Sequence, residues 1–344
     1  MNQKVLGCIL GAAVGDAMGA ATEGRSLRQI EAEFGGRVEE FKTPPSDTPA
    51  RKRKAGQVTD AFSIPYILTR HLIQAKGKPS RELGKQALLE WGGTEYFEPF
   101  AGMTTRSVIN RLKQEDNMSL WAFSGRLGNK LYKGHYYALS SNGAATKAYP
   151  EGLVSHGDVD KAISDTVELT MCSHDDPYSI SGACAVSAAV SEALKDNTSI
   201  FEIIQKAIYG SIKGESLARE QSNIWIYPGP SVTKRIEMAV EIALHSGSGD
   251  VITELRERIG SGPAIAETVP SALGILIANQ GKTMESIYDA VNIGDETSAV
   301  ASIVGAIAGT YYGADSITEG YLDIINRENN INLQEQAKQI AALW

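Results

Sequence analysis

Apolar residues recur every three or four positions along most of this chain and almost never every second position, so the pattern predicts helices. Residues 61–75 place Ile64, Ile67, Leu68 and Leu72 on one face. Residues 158–172 open with an acid and gather Val159, Ala162, Ile163 and Val167. The stretch 180–194 is small and apolar nearly all round, the composition of a fully buried helix. Further helices are predicted over 199–209, 232–244, 251–259, 270–279 and 284–291. Short β-like runs such as 225–227 stand alone, so the expected class is all-α.

The two ends of the chain carry a second pattern. Within 5–20, Gly7, Gly11, Gly15 and Gly19 fall at a strict four-residue spacing, and within 299–313 Ala301, Gly305, Gly309 and Gly313 share a face. Each helical glycine costs about 1 kcal/mol against alanine. Such a stripe predicts a close backbone approach, of the two helices to each other or to a common neighbour. Residues 43–56 hold three prolines and the run Arg51-Lys52-Arg53-Lys54, which reads as a solvated loop. No linker or low-complexity stretch divides the chain, and one domain over 1–344 is expected.

Charge narrows the function classes. With 33 Lys+Arg against 41 Asp+Glu the formal net charge is −8, which argues against a nucleic-acid or anionic-membrane binder. Cys8, Cys172 and Cys184 are too few and scattered for a disulfide framework. The apolar stretch 5–14 runs straight into Asp16, and no twenty-residue apolar span exists. A cytoplasmic protein is expected.

Acids in apolar or glycine-rich surroundings mark the candidate chemistry, because buried charge is costly unless paired or metal-bound. They are Asp16 with Glu23 beyond it, Thr59-Asp60, and Gly294-Asp295-Glu296-Thr297-Ser298. The last two sit at helix starts, where capping is the simpler explanation. Three such places together suit hard oxygen ligation of Mg²⁺ or Mn²⁺. The small-residue segment Ser140-Ser141-Asn142-Gly143-Ala144-Ala145 could turn backbone amides toward a phosphate or be an ordinary Asn-Gly turn. His174 lies beside Asp175 and Asp176, with a surface role or a substrate contact both open.

In order, these segments resemble the ADP-ribosylglycohydrolase family of the dinitrogenase-reductase-activating type, from Gly7 to Gly313. The resemblance rests on Gly7 to Gly19 with Glu23, on Thr59-Asp60, on Asn142 to Ala145 with Pro150, on Ser173-His174, and on Ala290 to Gly294 with Glu296-Thr297. It implies an orthogonal helical bundle that cleaves the bond at C1 of a ribose, usually of an ADP-ribosyl group, with two Mg²⁺ or Mn²⁺ ions. By the resemblance Glu23, Asp60 and Glu296 are the catalytic candidates. Glu23, Thr59, Asp60, Asp295, Glu296 and Thr297 are the metal ligands. Asn142, Gly143, Ala144, Ala145 and His174 carry the substrate, a small molecule or an ADP-ribosylated target.

The chain departs from the family at its ligands. Where the family has Thr-Asp-Asp-Thr this sequence has Thr59-Asp60-Ala61-Phe62, and Ser298 and Ala299 replace an aspartate and a threonine at the second site. Asp295 is an extra acid one position early, about 100° round a helix from the lost ligand. One ion or none is expected, in either a divergent hydrolase with a reduced metal site or a non-catalytic ADP-ribose- or nucleotide-binding relative.

Overall fold

The computed structural model describes residues 2–114, 140–220, 229–245 and 251–344, and among them it is helical with no strand. The β-like run 225–227 lies outside the described residues. Helices α1 (Asn2–Gly19), α2 (Leu27–Phe34), α3 (Asp60–Gln74), α4 (Arg81–Trp91), α5 (Phe97–Phe100) and α6 (Met103–Lys113) form the first part. The middle holds α7 (Gly143–Thr146), α8 (Tyr149–Val154), α9 (Val159–Thr170), α10 (Pro177–Ala193) and α11 (Ile200–Glu220). Then come α12 (Val232–His245), α13 (Val251–Arg258), α14 (Ile265–Ala278), α15 (Thr283–Asn292), α16 (Thr297–Tyr312), α17 (Tyr321–Asn329) and α18 (Leu333–Ala341).

The glycine stripes meet each other. A Cβ built on Gly7 would lie 2.0 Å from the Gly309 carbonyl oxygen, one on Gly11 2.1 Å from that of Gly305, and one on Gly15 2.0 Å from that of Ala301. The pairing falls along α1 as it rises along α16, so the helices are antiparallel and in backbone contact. The predicted face is the observed one, Gly313 included: its φ of 82° ends α16, and its carbonyl carbon lies 2.7 Å from a Cβ built on Gly7. Because the pair is antiparallel, the C-terminal end of α1 abuts the start of α16. Two acid-bearing segments distant in sequence thereby become neighbours.

Two helices contain proline in their interior, Pro65 in α3 and Pro270 in α14. A proline there removes the hydrogen bond to the carbonyl four residues back. Each freed carbonyl is taken by another helix: Ser302 Oγ of α16 donates to Ala61 O at 3.4 Å, and Arg235 Nη1 of α12 donates to Ala266 O at 3.2 Å. This is why α14 begins before Pro270, where the sequence suggested a start. It also ties the first turn of α3 to α16.

Helices α4 and α6 pack with α3 around Trp91, whose indole N–H donates to Ser63 Oγ at 2.9 Å. The basic run is not wholly solvated, since the Arg53 guanidinium sits 4.5 Å from the Tyr96 ring centre, 5.4 Å from that of Phe100, and pairs with Glu95 at 2.8 Å. No described helix is long and apolar enough to cross a membrane.

Candidate active site

Asp16 organises the site from within α1. It is fully buried, and its Oδ2 accepts from the backbone N–H groups of Thr59 (2.7 Å) and Phe62 (3.0 Å), while Oδ1 accepts from Thr59 Oγ1 at 2.5 Å. An acid from one helix thus caps the first turn of another, which suits the free amides and the dipole there. Burial pushes Asp16 up to about 7, against the pull of the Thr59 hydrogen bonds.

That cap delivers Asp60 to the end of α1, where Glu23 and Glu296 also arrive. Burial, and then Asp16 and Glu296, push Asp60 up to about 8. Glu23 is raised well above the ordinary carboxylate range by burial, then by Glu296 and Asp60, with the Ser298 hydroxyl donating to its Oε2. Glu296 is raised by burial, while the Asn142 amide donates to its Oε2 at 3.3 Å and pulls the other way. Like charges held close in a poorly solvated place cannot all ionise near neutral pH. The three predicted catalytic acids therefore form one electrostatic unit.

The segment from Asn142 folds as the short helix α7 rather than an open loop. Its entrance is pinned to the start of α14 by Asn142 N–H to Pro263 O (2.9 Å) and Ile265 N–H to Ser140 O (2.8 Å). The amides of Ala144 and Ala145 are spent inside the turn, on Ser141 O (3.3 Å) and Asn142 O (2.8 Å), and both side chains are buried. The groups that point away from this turn are the side chains of Ser141 and Asn142 and the edge of Gly143. His174 faces that edge: a Cβ on Gly143 would lie 3.8 Å from its Nε2, and Ser141 Oγ is 2.9 Å from the same nitrogen.

Other candidates are placed differently. Thr297 Oγ1 donates to Gly19 O at 2.9 Å and lies 3.0 Å from Thr22 Oγ1, so it fastens α16 to α1. Asp295 has φ 59°, and its backbone holds the 24–25 turn through Gly24 N–H to Asp295 O (2.8 Å) and Asp295 N–H to Arg25 O (2.9 Å). Its exposed carboxylate lines a separate cleft of about 400 Å³ with Arg25, Arg256 and Glu267. Capping explains Thr59, which accepts from Ala61 N–H at 3.4 Å, but not Glu296, which occupies the cap position of α16 without a side-chain cap bond.

The family model described as ADP-ribosylglycohydrolase matches residues 1–344. The chain belongs to the ADP-ribosylglycohydrolase family. It is 23% identical to the uncharacterized protein YegU of Escherichia coli K12, over 99% of this chain and 97% of that protein. It is 22% identical to the ADP-ribosylhydrolase ARH3 of Bos taurus, over 92% and 86% of the two chains. To the ADP-ribosylarginine hydrolase Tri1 of Serratia proteamaculans it is also 22% identical, over 97% and 78%. A solved structure titled ADP-ribosylglycohydrolase-related protein complex shares the fold, with a TM-score of 0.66 at 19% identity over 99% of this chain and 98% of that one.

As a member of this glycohydrolase family the chain is short of metal donors. Ala61 offers none, the Ser298 hydroxyl is turned to Glu23, and the Thr59 and Thr297 hydroxyls are engaged in fastening helices. Asp295 lines the neighbouring cleft, from which its charge still raises Glu296, and the remaining acids are Glu23, Asp60 and Glu296. Among the described residues no group of three or more His, Cys, Asp or Glu side chains is set to hold a metal ion. Mg²⁺ needs near-ideal octahedral oxygen ligation, and this donor set does not fit a two-ion centre.

Sequence reasoning passed over several residues of the site. Asp16 stood out as an acid in a glycine helix, without its role as a cap for α3. Ser141 and Ser173 stand out only as parts of the 140–145 and 173–174 segments, and Lys147 and Thr268 carry no signal of a role. Thr268 Oγ1, which accepts from the Asn142 amide at 3.2 Å, is found only once α14 and α7 are side by side.

Proposed function

We propose that the protein hydrolyses the C1 glycosidic bond of a ribose in an ADP-ribosyl or related nucleoside compound, with Glu23, Asp60 and Glu296 as its acid–base groups. The observation that carries this reading is the Asn142 amide bonded to Glu296, which joins the candidate substrate turn to the carboxylate cluster. Ribosyl transfer to water passes through a cation-like transition state, helped by one carboxyl that gives a proton and one carboxylate that takes one. Asp60, pushed up to about 8, keeps its proton at neutral pH and supplies it to the leaving atom as the bond to C1 breaks, with Glu23 beside it. Glu296, whose Oε2 accepts from the Asn142 amide, takes the proton of the attacking water as the water oxygen bonds to C1. These three carboxylates are not gathered to hold an ion among the described residues, so any reduced site for one Mg²⁺ or Mn²⁺ would need them to move together, and no step above requires it.

A second reading, a non-catalytic ADP-ribose-binding relative, is favoured by Ala61 and Ser298 at the family's ligand positions. The two are separated by incubating the protein with ADP-ribosylarginine and following free ADP-ribose by chromatography, with EDTA or with Mn²⁺. Release that disappears in Asp60→Asn and Glu296→Gln supports the hydrolase. ADP-ribose binding without release selects the binding module, and neither binding nor release overturns both.

A further inference from the structure

Behind the substrate turn lies a run of buried polar side chains that the acid–base scheme does not use. Lys147, at the end of α7, is 5% exposed and His174 is 0% exposed. The Lys147 ammonium donates to Ser173 Oγ, and its Nζ is also 3.2 Å from His174 Nδ1. Ser173 Oγ is 2.9 Å from the same Nδ1. On the other side of the ring, Nε2 is 2.9 Å from Ser141 Oγ.

The direction of each bond follows from the donors. A lysine ammonium has three donors and no acceptor. Facing Nδ1 the ammonium can only donate, and the Ser173 hydroxyl, whose oxygen accepts a hydrogen bond from Lys147, has its own hydrogen free for the same nitrogen. Nδ1 is then the bare nitrogen and Nε2 carries the hydrogen. Nε2–H donates to Ser141 Oγ, which occupies a lone pair of that hydroxyl and leaves its hydrogen for an acceptor supplied by a ligand. Burial and the neighbouring Lys147 hold His174 well below its ordinary range, consistent with a neutral ring. Burial holds Lys147 below its ordinary range, while Cys172 and then Glu151 pull it up.

We propose that Lys147 is a positioning residue that, by its own contact with Nδ1 and with Ser173 beside it, fixes His174 in the Nε2–H form, so that the Ser141 hydroxyl hydrogen is turned to an acceptor oxygen of the ligand. The ligand chemistry selected is an oxygen rich in lone pairs, a phosphate or a ribosyl hydroxyl oxygen, in preference to a donor such as an ammonium. This deepens the proposed function and rests on its placing of the ligand at the Ser141–Gly143 edge. It adds no catalytic residue, since Lys147 acts only through others.

The test is long-range ¹H–¹⁵N correlation of the His174 ring in the full chain, with ADP-ribose titration alongside. The wild type is expected to show a bare Nδ1 and a protonated Nε2, before any ligand is added. Lys147→Met is expected to let the ring turn over to the Nδ1–H form and to weaken ADP-ribose by about tenfold, the scale of one charge-assisted hydrogen bond. Lys147→Arg restores both readouts, and Ser173→Ala, which spares the lysine, keeps the Nε2–H form. A wild-type ring in the Nδ1–H form overturns the proposal, as does Lys147→Met with an unchanged tautomer. An Nε2–H ring in a protein that does not bind ADP-ribose upholds the relay and overturns the ligand reading instead.

Discussion

Replacing Gly11 with alanine tests whether the approach of α1 to α16 builds the site. The new Cβ would lie 2.1 Å from the Gly305 carbonyl oxygen and 2.7 Å from its carbon, where ordinary contact begins at 3.4 Å. The neighbour is backbone in the middle of a helix and cannot rotate away, so the axes must part by about 1 Å. Overpacking of this kind costs about 1–3 kcal/mol. The gain in helix propensity returns about 1 kcal/mol, and with backbone on both sides the net loss is expected near 2 kcal/mol. For a chain of this length the unfolding entropy gives about 0.7 kcal/mol per degree, so the midpoint should fall by about 3 °C. Parting the helices also separates Glu23, beyond the end of α1, from Glu296, at the start of α16. ADP-ribose affinity should therefore fall with stability. Urea unfolding and ligand titration read the two effects. Gly102→Ala is the control, because nothing lies within 4 Å of its Cβ, and as a change at the cap of α6 it should cost no more than about 1 kcal/mol. A Gly11→Ala protein as stable as this control, with unaltered ligand affinity, would refute the reasoning.

Three further outcomes are expected. The double variant Ala61→Asp, Ser298→Asp, titrated calorimetrically with Mn²⁺ after metal removal, should bind at least about tenfold more tightly than the wild type, since hard-cation affinity follows carboxylate number. Unchanged affinity would mean that the two helix starts do not aim these positions at a common point. Glu151 is 1% exposed and is pushed up to about 8 by burial. A carboxyl raised above its unfolded value of about 4 favours the folded state while protonated, so its contribution is present at low pH and is lost as pH rises toward 8. Glu151→Gln should flatten the decline of unfolding free energy between pH 5 and 8, and parallel curves would count against the assignment. Arg235→Met strips the Ala266 carbonyl of its donor and should cost about 1–2 kcal/mol in urea unfolding, whereas no loss would show that water replaces the guanidinium.

Much of the architecture was legible because periodicity and glycine spacing report burial directly. The stripes at Gly7 to Gly19 and Ala301 to Gly309 showed which faces are in close contact, though not that they face each other. The helices α2, α4, α6, α17 and α18 escaped notice because their apolar residues, though at helical spacing in α4 (Leu83, Ala87, Leu88, Trp91) and α18 (Leu333, Ala337, Ile340), are few among polar and charged neighbours. Pro270 misled on the start of α14, since the sequence does not show that Arg235 takes the freed carbonyl. At the site, Glu23, Asp60 and Glu296 were legible as acids in apolar settings, and the structure makes them one unit. Asp295 shared their sequence signature, but its left-handed backbone turns it to another cleft. Asp16 and Lys147 act through partners far along the chain, and no local pattern encodes such partnerships.

The account places a ribosyl ligand between the carboxylate cluster and the Ser141–Gly143 edge. Its most direct test is a crystal structure of the protein soaked with ADP-ribose, with Mn²⁺ present so that anomalous scattering locates any ion. The account predicts the terminal ribose against Glu23, Asp60 and Glu296, phosphate oxygens at the Ser141 hydroxyl, and no pair of manganese ions. ADP-ribose bound elsewhere, or a fully ligated two-ion centre at these carboxylates, would contradict it.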